Sequence, residues 1–267
     1  MNAPSQHDKA ARFRALHERA GAFVMPNPFD GGSARALERL GFEALATSSG
    51  ASAATQGRRD GGLTREQVLA HVRMVAESTT LPVSADLENG FGEEPERVAE
   101  TIRLAAECGA VGGSIEDYSG DSARGIYDRD LAVKRVAAAA QAARSLGFPF
   151  VLTGRCENFL RKRPDLEDTI ARLRAYEDAG ADVLFAPALP DLAAVRRVAG
   201  ALKHPLNFMA GIPGKSFSVA ELADAGVRRI SFGSSLYEVA IKAVSHAAAP
   251  ALKEGRFGWL DESREKR

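Results

Sequence analysis

Short apolar runs alternate along the chain with longer stretches whose apolar residues recur at helical spacing. FVMPN (23–27) precedes GGSARALERLG, and ALATSS (44–49) precedes a polar loop and then TREQVLAHVRMVAES. LPVSADLE (81–88) precedes PERVAETIRLAAECG, and VGGSIEDY (111–118) precedes a loop and DLAVKRVAAAAQAARSLG. FVLTGRCE (150–157) leads into LEDTIARLRAYEDAG, and DVLFAP (182–187) into LPDLAAVRRVAGAL. PLNFMA (205–210) leads into SVAELADAG, and RRISFG (228–233) into LYEVAIKAVSHAAAPAL. The pattern predicts eight strand-then-helix units. In the third, Val98, Ile102, Ala105 and Ala106 fall on one face of a 3.6-residue period. Pro95 sits where a first-turn proline is tolerated, and Gly109 supplies a stop. The same stop recurs at Gly41, Gly147, Gly180 and Gly226, since glycine accepts the left-handed backbone that ends a helix.

The predicted strands are apolar on both faces, as parallel strands covered by helices require. Eight such units in about 250 residues match a closed (β/α)8 TIM barrel, an α/β fold. An open doubly wound sheet would want a glycine-rich first turn of G-x-G-x-x-G type, and the first turn here is NPFDGGSAR. No linker or low-complexity tract interrupts the pattern. The chain reads as one domain over 1–267, with a barrel core of about 20–250 and a polar tail over 254–267.

Composition narrows the function. The 35 basic and 35 acidic residues balance, which argues against a nucleic-acid partner. No apolar run reaches the ~20 residues of a membrane span, and the polar N-terminus has no signal-peptide core. The expectation is a soluble cytoplasmic protein. Cys108 and Cys156 are too few for a disulfide framework, and the five histidines show no metal-binding spacing.

The C-terminal strand ends of such a barrel meet at one mouth, where catalysis sits. This chain places there Asn27 and Asp30, then Thr47-Ser48-Ser49-Gly50, Asp86 and Glu88, Glu116 and Asp117, Arg155 and Glu157, Asn207, and Gly233-Ser234-Ser235. Because i and i+2 face the same way on a strand, Asp86 and Glu88 point together and Leu87 packs outward. By the same rule Arg155 and Glu157 share the mouth while Cys156 turns away as a packed thiol. Converging carboxylates repel one another unless a cation sits among them. All-oxygen donors suit magnesium, with manganese as the substitute. The plainer alternative for any one pair is a helix cap plus a surface acid. Arg155 offers a fork for a carboxylate or phosphate, or an ion pair with Glu157 or Glu116. Ser49-Gly50-Ala51 offers backbone N–H groups to a second anion, or is an ordinary serine-rich loop. AGIPGKS (210–216) ends like a phosphate-binding loop but has Met209 where the first glycine belongs. It reads as a turn, with Lys215 near the mouth.

These segments resemble the isocitrate lyase/phosphoenolpyruvate mutase superfamily over roughly residues 10–250. The resemblance rests on NPFDGGSARALERLGFEALATSSGASAA, RRDGGLTREQ, SADLENGFG, GGSIEDY, GRCENF, and NFMAG with GVRRISFGSSL. It implies a (β/α)8 barrel, Mg²⁺, and substrates bearing a 2-oxo or 2-hydroxy carboxylate. Carried over by position, Asp86 would ligate the metal directly, and Glu88 and Glu116 would hold its waters. Ser49, Gly50, Ala51 and Arg155 would bind the substrate carboxylate. Asp60, in RRDGG, stands where the phosphonate branch carries a nucleophilic or basic Asp. The resemblance also implies a homotetramer, or a dimer, with YEVAIKAVSHAAAPAL exchanged between subunits.

One departure matters. Isocitrate and methylisocitrate lyases carry Lys-Lys-Cys-Gly-His after the fourth strand, and this chain has EDYSGDSARGIYDRDLAV, without Cys or His. That loop offers Tyr118, Ser119, Ser122, Arg124 and Tyr127 instead. The expected activity is a Mg²⁺-dependent C–C lyase that decarboxylates or retro-aldol cleaves a small di- or tricarboxylic acid through an enolate. Tyr118 or a metal-bound water would be its acid, and Asn207 a further substrate contact. The alternatives are C–P cleavage of a phosphonopyruvate-like substrate through Asp60, and a non-catalytic barrel that binds 2-oxo acids.

Overall fold

The computed structural model of the protein describes residues 4–259, so residues 260–267 of the expected polar tail lie outside the described chain. Eight parallel strands form one sheet in the order β1-β8-β7-β6-β5-β4-β3-β2. They are β1 (Phe23–Met25), β2 (Leu45–Ala46), β3 (Val83–Asp86), β4 (Gly112–Glu116), β5 (Val151–Arg155), β6 (Val183–Phe185), β7 (Leu206–Met209) and β8 (Val227–Ser231). The seam between β1 and β2 is bridged where the Ala46 N–H donates to the Pro26 carbonyl at 3.1 Å. The sheet thereby closes into the expected (β/α)8 barrel.

The described residues form ten helices about it: α1 (Gln6–Glu18), α2 (Gly31–Arg39), α3 (Ser49–Thr55), α4 (Arg65–Glu77), α5 (Pro95–Glu107), α6 (Arg129–Arg144), α7 (Leu166–Asp178), α8 (Leu192–Ala201), α9 (Val219–Asp224) and α10 (Ser235–Glu254). Gly41, Gly109, Gly147, Gly180 and Gly226 all have positive φ, as the predicted helix stops require. Two helices depart from the sequence reading. The polar N-terminus forms α1, started by a reciprocal cap between Ser5 and Asp8. The expected loop after β2 is instead the short α3, capped by the Ser48 hydroxyl, which accepts from the Ala51 N–H.

Alternation along the strands divides the core. Leu87, Ile115, Leu152, Leu184 and Ile230 pack outward under the helices. Inside the barrel Phe23, Met25, Ala44, Ala46, Val151 and Val183 pack on Ala10, Phe13 and Leu16 of α1, which plugs the bottom. The plug is tight: a β-carbon on Gly112 would stand 2.7 Å from Phe13 Cε1. Above this layer the strand ends turn polar. At the far end of the chain α10 buries none of its residues, and Val239, Ile241 and Val244 are exposed. Among the described residues, no helix is long and apolar enough to cross a membrane.

Candidate active site

The barrel mouth opens into a cavity of about 240 Å³. Asn27, Thr47, Ser49, Gly50, Asp60, Asp86, Ser114, Arg155, Phe185, Asn207, Arg229 and Ser231 are part of its wall. Small residues make the hollow: Ala46 on β2, Ser84 on β3 and Ser114 on β4 leave space that larger interior side chains would fill.

Asp86 is the last residue of β3, and its carboxylate is aimed from several sides. Its Oδ2 accepts from the Ser49 N–H at 3.0 Å. Its Oδ1 accepts from the Glu88 N–H at 3.3 Å and the Ser114 hydroxyl at 3.5 Å. The backbone N–H of Asp86 donates to Thr47 Oγ1 at 2.9 Å. Glu88 lies beyond the strand end, at φ 48°. The buried Leu87 anchors the chain between the two acids. Burial first, and then the charges of Asp86 and Asp60, push the Glu88 carboxyl up to about 8. Glu116 ends β4 and is buried; burial and the Glu157 carboxylate raise its pKa well above the usual range.

Arg155, at the end of β5, draws these acids together. Its Nε is 2.5 Å from Glu157 Oε1 and 3.4 Å from Glu116 Oε2, and its Nη1 is 3.8 Å from Asp86 Oδ2. Burial opposes its charge, but Glu157, Glu116 and Asp86 outweigh that and raise its pKa. Arg161 serves the outer side, with Nε 3.0 Å from Glu157 Oε2 and Nη2 3.6 Å from Glu116 Oε1. Four carboxylates (Asp86, Glu88, Glu116 and Glu157) thus share two guanidinium groups, and the Asp60 charge adds to that on Glu88.

The other predicted residues divide. Ser49 and Gly50 line the cavity, but the Ser49 N–H is engaged by Asp86. Ala51 is buried outside the lining, and its N–H donates to Ser48 Oγ at 3.3 Å. Asp60 lines the cavity facing Gly50, on which a β-carbon would lie 3.6 Å from Asp60 Cγ. Asn207 lines it too, with its amide held inside the protein: Oδ1 accepts from Arg229 Nε at 2.8 Å, and Nδ2 donates to Ser231 Oγ at 3.0 Å. Glu88 and Glu116 stand behind Asp86, outside the lining.

Tyr118 does not reach the cavity lining. A single antiparallel bridge to Ile126 holds its backbone, and the Arg161 guanidinium stacks on its ring at 3.6 Å. Tyr127 is buried beneath Arg135 instead, and Arg124 pairs with Glu93. Asp30 is exposed and caps α2. Lys215 donates to the carbonyls of Ala188 and Leu189, away from the cavity. Asp117 points behind the sheet, where it accepts from the Tyr176 hydroxyl at 2.6 Å, Arg172 Nη1 at 3.2 Å and the Glu157 N–H at 2.8 Å. Cys156 is fully buried, facing outward as alternation requires, and burial pushes its thiol well up.

Sequence reasoning missed Arg161 and Arg229. Arg161 stands four residues after Glu157, helical reach along the loop. Arg228 and Arg229 are adjacent on one strand, so alternation obliges one of them to face inward.

Among the described residues, no three His, Cys, Asp or Glu side chains converge closely enough to hold a metal by themselves. The donor set fits magnesium in a narrower sense. That ion takes one or two carboxylates and keeps several waters. Asp86 is one oriented carboxylate in the cavity wall, and Glu88 and Glu116 are acids whose raised pKa values a nearby cation would relieve.

The model of the family described as phosphoenolpyruvate phosphomutase matches residues 13–252. A solved protein of Burkholderia cenocepacia J2315, carrying a provisional lyase/mutase designation, is 52% identical, with TM-score 0.93 over 96% of this chain and 92% of that one. Solved 2,3-dimethylmalate lyase is 32% identical, with TM-score 0.86 over 94% of this chain and 89% of its own. The oxaloacetate decarboxylase of Paraburkholderia xenovorans (strain LB400) is 32% identical over 91% of this chain and 82% of its own.

Proposed function

Because this chain belongs to the phosphoenolpyruvate mutase/isocitrate lyase superfamily, whose members are lyases and mutases, we propose that it is a carbon–carbon lyase. Its substrate is a small 2-oxo or 2-hydroxy di- or tricarboxylic acid, cleaved by decarboxylation or retro-aldol reaction. The observation that carries this reading is the pairing of Asp86 with Arg155 in one cavity wall, an oriented carboxylate beside a buried guanidinium. Two relatives named for C–C chemistry, the dimethylmalate lyase and the oxaloacetate decarboxylase, support it.

A magnesium or manganese ion held by Asp86 would supply positive charge beside the developing enolate oxygen. The rest falls to the protein. Arg155 binds the substrate carboxylate and stabilises the negative charge released as the C–C bond breaks. Its own orientation is kept by Glu157 and Glu116. Phe185, its ring 5.2 Å from the Arg155 guanidinium, gives the site an apolar wall. In decarboxylation the departing fragment leaves as carbon dioxide; in the retro-aldol case the substrate hydroxyl gives its proton to solvent as its carbon leaves as a carbonyl compound. The electron pair left on carbon then takes a proton from solvent, since Tyr118 lies outside the cavity lining. The exposed apolar residues of α10 support packing on a partner subunit, as in a homotetramer or dimer.

Asp60 favours a second reading. It lines the cavity and is poised to act as nucleophile or base on a phosphonopyruvate-like substrate. The test is to incubate the protein with Mg²⁺ and oxaloacetate, substituted malates or phosphonopyruvate, and to follow pyruvate and other keto products against protein-free controls. A protein-dependent keto product from one of the carbon acids, lost on chelation, is expected. Turnover of phosphonopyruvate alone would favour the second reading, and binding without any turnover would make the barrel a 2-oxo acid binder.

A further inference from the structure

Arg229 is a cation deep in the barrel with no acid beside it. It sits on β8 with only 3% of its surface exposed and forms part of the cavity wall. Its Nε donates to Asn207 Oδ1 at 2.8 Å and its Nη2 to Thr153 Oγ1 at 2.9 Å. Its Nη1 lies 3.3 Å from His17 Nε2. The His17 Nδ1 is 2.8 Å from the Phe13 carbonyl, which makes Nδ1 the donor and leaves Nε2 as an acceptor. Burial holds that imidazole down to about 3, so it stays neutral. All three partners are therefore uncharged. Among the described residues, Arg229 enters no ion pair.

An uncompensated buried guanidinium is costly. Burial lowers the Arg229 pKa to about 9, with no carboxylate opposing it. Five N–H groups radiate from a guanidinium and three have partners here, so Nη1 and Nη2 keep one donor each. One donor on each terminal nitrogen is thus left for an anion, and a carboxylate has two oxygens to take them. Depth completes the picture. Arg229 contacts Thr153, two residues below Arg155 on β5, and it pairs in register with Asn207, beneath Met209 at the top of β7. The hollow between Arg155 and Arg229 is bordered by Ala46, Ser84, Ser114 and Ser231.

We propose that Arg229 is a specificity residue at the cavity floor, which takes the distal carboxylate of a substrate whose 2-oxo or 2-hydroxy acid end lies at Asp86 and Arg155. The inference rests on the lyase reading and deepens it: the substrate stands along the barrel axis with an anionic group at each end. His17, Thr153 and Asn207 hold the fork in place, so α1 takes part in substrate selection from the barrel bottom.

Calorimetry in Mg²⁺ with three ligands tests this. Malate and 2-hydroxybutyrate differ only in whether carbon 4 is a carboxylate or a methyl group, and oxalate has no distal group. The wild-type protein is expected to favour malate over 2-hydroxybutyrate by about tenfold or more, the scale of one buried charged hydrogen-bonding partner. In Arg229→Met that ratio should fall to within about twofold, with oxalate affinity changed by no more than about threefold. A wild-type ratio near one, or a ratio retained in Arg229→Met, overturns the assignment. If Arg229→Met does not fold, Arg229→Lys serves: it keeps the charge but loses the fork, and a full ratio there also overturns it. Oxalate bound without discrimination sinks this inference alone, whereas a wild-type protein that binds none of the three sinks the lyase reading with it.

Discussion

Two arginines a layer apart in the same barrel live in opposite surroundings. Arg155 at the strand ends is ringed by Glu157, Glu116 and Asp86, and its charge is reinforced by them. Arg229 below it has only an amide, a hydroxyl and a neutral imidazole, and burial weakens its hold on the proton. The upper layer has more acid than its guanidinium groups offset, and the lower layer has a cation that nothing offsets. A low-dielectric cavity with an electron-rich rim and an electron-poor floor is the charge pattern that would suit a hard cation at the top and an anion at the bottom. Neither need is evident from net charge, which is zero for the whole chain.

The largest effect should come from breaking the rim. Asp86→Ala removes the oriented carboxylate and is expected to abolish Mg²⁺-dependent turnover, a loss of about 10³-fold or more, with circular dichroism unchanged. Arg155→Met attacks the same layer from the other sign. It should cost about 10²–10³-fold in kcat/KM. It should also cost about 1–3 kcal/mol in urea unfolding, because the buried Glu157 and Glu116 would keep only Arg161 as their cation.

The acid excess also predicts a pH effect on stability. The Glu88 carboxyl is raised from its ordinary 4.5 to about 8 by burial first and by the Asp86 and Asp60 charges next. A carboxyl raised on folding takes up a proton as the chain folds, so its contribution favours the folded state near pH 4.5 and is lost as pH rises toward about 8. A cation relieves that loss. Melting curves at pH 6 and pH 8 should therefore show greater Mg²⁺ stabilisation at pH 8, and equal stabilisation would mean that Glu88 does not sense the ion.

Smaller effects lie behind the sheet. Tyr176 donates to Asp117, which in turn accepts from the Glu157 N–H and so steadies the partner of Arg155. Tyr176→Phe should cost about 1–3 kcal/mol of stability, with a smaller loss in rate than Arg155→Met. Smallest of all, Cys156→Ser should leave kcat within about twofold, since the sulfur faces the outer core. A large rate loss there would place the thiol in the chemistry.

What was legible in the sequence follows from periodicity. Alternating apolar runs marked all eight units, and Gly stops marked five helix ends, because strand and helix periods are local. The i, i+2 rule placed Arg155 with Glu157 and turned Cys156 outward for the same reason. What escaped depends on contacts between distant segments. In α1 the buried positions Ala10, Phe13 and Leu16 are separated by charged residues, and the helix is defined by the barrel bottom that it fills. Asp117 follows Glu116 by one residue and so turns to the other face, toward Tyr176. Tyr118 left the cavity because Arg161, brought in by Glu157, stacks over it. Arg229 escaped because alternation says only that one of the adjacent Arg228 and Arg229 faces inward, and which one is settled when the barrel closes.

The most direct test of the polarised cavity is a crystal structure grown with Mg²⁺ and oxalate. An ion is expected about 2.0–2.1 Å from an Asp86 carboxylate oxygen, with oxalate between that ion and Arg155. Asp86 turned away from the cavity, or an ion held elsewhere on the chain, would contradict it.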